Sequence, residues 1–104
     1  MKQRMFRQGD VLLHRVSDRG QAGKPIPRER GRLVLAHGEV TGHAHAVATK
    51  DAELFSAEDK VFLRMIEKGE LVHEKHGSIV LDAGLYRVTR QREYAPEEIR
   101  NVAD

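Results

Sequence analysis

Apolar residues in this chain recur at every second position in short runs, and Gly, Asp and charged residues separate the runs. A strand turns successive side chains to opposite faces, so such runs bury one face only and cannot serve as helices. The clearest, residues 60–66, sets Val61, Leu63 and Met65 on one face and Phe62, Arg64 and Ile66 on the other. Similar runs lie at 10–16, 32–36, 42–48, 53–56, 70–74, 78–81 and 85–92. The pattern predicts a mainly β protein, a small barrel or sandwich of about eight short strands.

With 104 residues there is length for one core, so residues 1–104 are read as a single β-rich domain. Only 39% of the residues are hydrophobic and none is Trp, so Val, Leu and Ile must fill that core, helped by Phe6, Phe55, Phe62, Tyr86 and Tyr94. Residues 17–31 contain Gly20, Gly23, Pro25 and Pro27 and predict a long exposed loop. Lys68-Gly69 and Asp82-Ala83-Gly84 have the glycine that a hairpin connection needs. Near the end, Pro96 suits a first helical position, Glu97 and Glu98 suit the positive end of a helix dipole, and Arg100 the other end. A short C-terminal helix is expected there, with Ile99 and Val102 as its apolar stripe.

The chain has no Cys, which removes disulfides, thiolate metal sites and a cysteine nucleophile. Its first ten residues lack an apolar core of the secretory type, and no run approaches the ~20 apolar residues of a membrane span. A cytoplasmic protein with no membrane contact is the expectation. The net charge is +2, but Arg15, Arg19, Lys24, Arg28, Arg30 and Arg32 surround one loop and Arg87, Arg90 and Arg92 form a second group. They make either a solvated face or one that meets phosphate or an acidic protein.

Histidine carries the most specific signal. On a strand, His43 and His45 project to the same side while Ala44 and Ala46 take the other, and Gly42 frees the backbone just before them. His73 and His76 are three apart, a spacing that converges where a strand bends into a turn but not along a regular strand. Four imidazoles, or three with Glu39 or Glu74, suit Zn, Fe, Ni or Mn. His43, His45, His73 and His76 are the expected ligands, and Glu39 and Glu74 the expected orienting or general-base carboxylates. His37 is a further ligand or supporting group, and His14 a structural residue of the first strand.

The motif order is similar to that of the cupins, small β-barrels with a Gly, a His-x-His and a later Glu, then a Pro-x-Gly and another His. Gly38, His43, His45 and Glu53 stand for the first motif, and Gly77, Asp82 and Gly84 for the second. The spacing from His45 to Glu53 is longer than in that family, Asp82 replaces the Pro, and Arg87 stands in place of the second-motif His. A fourth ligand therefore falls to His73 or His76. Over nearly its whole length the chain also resembles short, uncharacterised bacterial and phage proteins carrying Gly-Glu-Val-Thr-Gly-His-Ala-His, His-Glu-x-His-Gly and Gln-Arg-Glu-Tyr, here Gln91 to Tyr94. That resemblance implies a coherent unit and no particular activity.

Three functions fit these residues. The first is a metal-binding barrel, with an open coordination position for chemistry on a small polar or anionic substrate. The second is a metal-independent nuclease using two imidazoles as acid and base, which cleaves RNA in the presence of chelator. The third is a binding module for RNA or a protein, including a second copy of itself as a homodimer, through the arginines, Tyr86 or Tyr94, and exposed strand edges.

Overall fold

In a computed structural model, which describes residues 4–38 and 42–91, every one of these runs forms a strand. The strands are β1 (Met5–Gln8), β2 (Val11–Val16), β3 (Lys24–Pro25), β4 (Leu33–His37), β5 (Ala44–Val47), β6 (Ala52–Ala57), β7 (Lys60–Met65), β8 (Gly69–Val72), β9 (Ile79–Leu81) and β10 (Gly84–Arg90). Their neighbours are all antiparallel, in a six-stranded sheet ordered β1-β2-β10-β7-β6-β3 and a four-stranded sheet ordered β4-β5-β8-β9.

One core joins the two sheets. The larger sheet contributes Val11, Leu13, Leu54, Leu63, Met65, Tyr86 and Val88, and the smaller one Leu33, Val47, Leu71 and Leu81. Alternation explains the selection: Leu63 and Met65 face inward, while Phe62 lies on the outer side stacked on Phe55 at 5.5 Å between ring centroids. Burying side chains such as Leu63, Leu71 and Leu81 contributes about 1.5–3 kcal/mol apiece. Tyr86 is buried too, and its hydroxyl donates to the Asp82 carbonyl at 2.8 Å, which keeps a polar tip from being stranded in the core.

Two strands lie outside the expected set. In β1 the apolar Met5 and Phe6 sit beside Arg4, Arg7 and Gln8, so polar composition hides an edge strand whose inward residues are Phe6 and Gln8. In the long loop, β3 adds two residues to the other edge, where Pro25 is tolerated. The loop's start, residues 17–20, is exposed as expected, and Arg64 ties it down by binding Asp18 at 2.9 Å.

Neither Lys68-Gly69 nor Asp82-Ala83-Gly84 makes a hairpin. Each carries the chain from one sheet to the other, since β7 and β10 belong to the six-stranded sheet and β8 and β9 to the four-stranded one. The β1–β2 hairpin, closed by Gly9 and Asp10, places that turn beside a cavity. Gly9 has φ +60°, as the first position of a tight two-residue turn requires. The expected C-terminal helix, with Tyr94 before it, lies outside the described residues. Among the described residues no helix is long and apolar enough to cross a membrane.

Candidate metal centre

The two sheets leave a cavity of about 390 Å³ at one end of the core, lined by His43, His45, His73 and His76 together with Gly9, Asp10, Gly38, Lys75 and Arg90. The period of two works as expected on the first pair. His45 points inward from β5 and is 2% exposed, while His43 stands just before the strand on the same side. Ala44 and Ala46 turn to the other face, where they pack with Val34.

The second pair comes from the bend after β8. His73 and His76 bring their ring centroids to 4.7 Å, and His73 lies 4.3 Å from His45 and 5.6 Å from His43. His73 is thus the hub of the cluster. Its Nδ1 accepts a hydrogen bond from the Lys75 amide at 2.9 Å, which leaves Nε2 on the side of Gly38 and His43. Burial, and then the neighbouring His76, lower the pKa of His73.

Ligand atoms of His43, His73 and Glu74 all lie within 4.8 Å of one another. Ligands on opposite sides of one ion stand ~4.2 Å apart when each bond is ~2.1 Å, so closure of the triad needs only a small movement. Glu74 is already anchored: its Oε1 accepts from the Ala44 amide at 2.9 Å, and that bond holds its carboxyl below the usual range. The same contact ties the 73–76 bend to the His43–His45 segment.

Two residues that sequence reasoning missed, Gln8 and Asp10, support the site together with Arg90. Gln8, 2% exposed, donates from its amide to the carbonyls of Leu71 at 3.0 Å and Gly77 at 2.9 Å. With both amide protons used, its Oε1 must accept from His45 Nδ1, 2.9 Å away. This fixes the His45 tautomer and aims the bare Nε2 at the cavity. Asp10 approaches that nitrogen with Oδ1 at 3.7 Å, and Arg90 donates to its Oδ2 at 2.8 Å. Burial works to raise the Asp10 pKa, but the Arg90 hydrogen bond and charge outweigh it and the net shift is downward. Burial, reinforced by His73, pushes His45 down to about 4, so the ring is neutral at pH 7 and able to bind a metal. The only cue to Gln8 and Asp10 in the sequence was the Gly between them, which marks a turn but not what the turn reaches.

Gly9 gives the site its room. A Cβ there would stand 2.7 Å from His76 Nε2 and 3.2 Å from His45 Cε1. Gly9→Ala is expected to cost about 1–2 kcal/mol from the φ > 0 backbone and, by displacing His76, to weaken metal binding roughly tenfold or more. Gly31→Ala is the control, because Gly31 also has positive φ but nothing lies within 4 Å of its Cβ position. Urea unfolding should show similar losses for the two variants, with metal titration separating them. Equal metal affinity would show that His76 is no part of the site.

Other expected residues fall elsewhere. His37 is exposed and pairs with Glu29 at 3.1 Å, outside the cavity. His14 lies on β2, also outside it. Glu53, the counterpart of the cupin carboxylate, pairs with Arg64 at 3.1 Å on the outer side of the sheet. Glu39 lies outside the described residues. Two of the loop arginines have structural work: Arg28 binds the carbonyls of Gly31 and Thr49, and Arg15 binds that of Ala83. Lys75 and Arg90 are the cations that line the cavity.

A family described as a domain of unknown function, DUF8820, matches residues 7–91. No curated protein and no solved structure matches the chain.

Proposed function

Because the chain belongs to DUF8820, a family whose description carries no activity, we propose from the chemistry of the site itself that this protein binds a divalent transition metal, Zn, Fe, Ni or Mn. The observation that carries this reading is the convergence of ligand atoms from His43, His73 and Glu74 within 4.8 Å. His45 and His76 bring the number of imidazoles around the same cavity to four. An all-His and carboxylate donor set, with no thiolate, matches catalytic rather than structural zinc sites and equally suits Fe, Ni or Mn.

Three protein ligands leave a coordination position open to water or substrate. When bound, the ion would polarise a carbonyl or activate a water, and Glu74 is placed as ligand or general base. Lys75 on the cavity wall favours a small polar or anionic substrate, since Arg90 already offsets the charge of Asp10, the acid among the lining residues. Nuclease chemistry by histidine alone needs one protonated imidazole near pH 7, a role for which His45 and His73 are poorly suited because burial lowers the pKa of both.

Untagged protein purified without chelator should carry near-stoichiometric metal by inductively coupled plasma mass spectrometry. The paired substitutions His43→Ala and Glu74→Gln, both on partly or fully exposed positions, should remove the ion held by this triad while circular dichroism stays that of a folded β protein. A folded double variant with undiminished metal would overturn the ligand assignment.

A further inference from the structure

We infer that Arg30 and Arg32 form a phosphate-binding subsite beside the metal centre, which takes the terminal phosphate of a small-molecule substrate whose other end reaches the ion at His43. The reach to the ion depends on the metal reading above, whereas the phosphate site itself lies in a different cavity and uses different side chains.

That second cavity, of about 320 Å³, is lined by Glu29, Arg30, Arg32, His37 and His43 among others. His43 lines the metal cavity as well, so the two spaces share one imidazole. A volume of this order suits a small organic molecule. Arg15 and Arg28 are already bound to backbone carbonyls, but among the described residues no hydrogen bond or ion pair engages the side chain of Arg30 or Arg32. The partner choice of Glu29 sharpens this. Glu29 and Arg32 face each other across a β-bridge with backbone hydrogen bonds of 2.8 and 3.1 Å, a placement in which opposite charges ordinarily pair. The Glu29 carboxylate instead meets His37 Nε2 at 3.1 Å. The one acid lining this cavity is thus turned to His37, and two guanidiniums are left facing the space.

Arg30 and Arg32 flank Gly31 in a tight turn, with φ +54° at Arg30 and +81° at Gly31. Those are the signs of a type I′ turn, whose first central residue is ordinarily Asn, Asp or Gly. Arg28 holds the turn by donating to the Gly31 carbonyl at 2.9 Å. The β6–β7 hairpin has positive φ at Glu58 and Asp59 too, so the backbone by itself names no ligand; what sets Arg30 apart is the cavity it lines together with Arg32. A phosphate monoester carries about 1.5 to 2 negative charges at neutral pH and has oxygens enough for two guanidinium forks, whereas a carboxylate matches one. The phosphate is a handle and not the reacting group. Its binding energy positions the rest of the substrate past His43, toward the open coordination position.

Inorganic phosphate, titrated by isothermal calorimetry into the full-length protein after chelator treatment, should bind once per chain and roughly tenfold or more tighter than acetate. Arg30→Gln and Arg32→Gln should each weaken it roughly tenfold or more. Glu74→Gln should leave it unchanged, because Glu74 lies outside this cavity and Gln can still accept from the Ala44 amide. Arg30→Gly should lose phosphate as Arg30→Gln does, yet keep a urea midpoint at or above that of wild type, since glycine adopts φ +54° freely. A lowered midpoint would make Arg30 a residue of the fold and overturn its role. The subsite is also overturned if metal-free protein binds no phosphate, if acetate binds as well, or if both arginine variants keep wild-type affinity. Phosphate that binds only Zn²⁺-loaded protein and survives both arginine changes would keep the metal centre and overturn the subsite. Protein that carries no metal as purified and takes none from added Zn²⁺, but binds phosphate through Arg30 and Arg32, would do the reverse. A single-stranded oligonucleotide bound roughly a hundredfold tighter than phosphate would overturn the small-molecule assignment.

Discussion

Replacing Gln8 by Ala should destabilise the fold by about 2–5 kcal/mol, although Gln8 touches no candidate substrate and sits on an edge strand. The side chain is 2% exposed and satisfies three partners: His45 Nδ1, the Leu71 carbonyl and the Gly77 carbonyl. Gly77 is exposed and can turn to water. The other two are buried, and a buried polar group stripped of its partner costs roughly 1–3 kcal/mol. Gln8→Met separates bonding from packing, because it keeps most of the volume but none of the hydrogen bonds. If bonding dominates, Met should recover less than half of the Ala loss in urea unfolding. Freed from Gln8, the His45 ring loses its fixed tautomer, and metal affinity should fall roughly 10- to 100-fold. A loss below ~1 kcal/mol with unchanged metal affinity would mean that solvent replaces Gln8 and that His45 is oriented by something else.

Gln8 also marks the boundary of what the sequence makes legible. The strands of the core are readable because each repeats a local rule: in β7 the inward set Val61, Leu63 and Met65 is evident from alternation alone. The pair His43 and His45 is readable for the same reason, and His73 with His76 because a bend was the one geometry in which their spacing could converge. Gln8 acts across 37 residues on His45 and across 63 on Leu71, and no periodicity in the chain records that contact. The sheet crossovers at Lys68-Gly69 and Asp82-Ala83-Gly84 fail for a related reason. A glycine turn has the same local chemistry whether the next strand pairs with the last one or leaves for the opposite sheet.

The β1–β2 hairpin shows how a short edge element comes to hold a site. Its turn places Gln8, Gly9 and Asp10 consecutively against β5 and the bend after β8, and the Gln91 amide fastens the turn by donating to the Asp10 carbonyl at 2.6 Å. Each of the three does something its neighbours cannot: an amide that orients a ring, an absent Cβ that admits another, and a carboxylate that faces the first. Composition made this segment look like a polar terminus, whereas its polarity belongs to the interior of the site.

Metal-free protein should lose about 3 kcal/mol of stability between pH 7 and pH 4, most of it through His45. The pKa of that ring is pushed from 6.5 to about 4 in the folded protein, chiefly by burial. In the window between those values the unfolded chain binds a proton that the folded chain does not, so stability falls as the pH drops, by ~1.4 kcal/mol per pH unit at the steepest. Above 6.5 the group contributes no slope. His73 adds to the loss in the same direction, because its pKa is lowered as well. Below this window Asp10, Asp18 and Glu74 take over: each is held down in the folded state, so the stability each confers is lost as the pH falls through its folded value. Bound metal should steepen the curve, since protons compete for the same imidazoles. Urea unfolding of chelator-treated protein at intervals from pH 7.5 to 4.5 measures the slope, and His45→Asn isolates its source. Asn can still donate to Gln8 but has no proton to gain, so its curve should lose about one proton of slope in this window. A wild-type curve as flat as that of His45→Asn would mean that the His45 ring takes up a proton in the folded state as readily as in the unfolded chain, with Asp10 accepting it across the 3.7 Å gap.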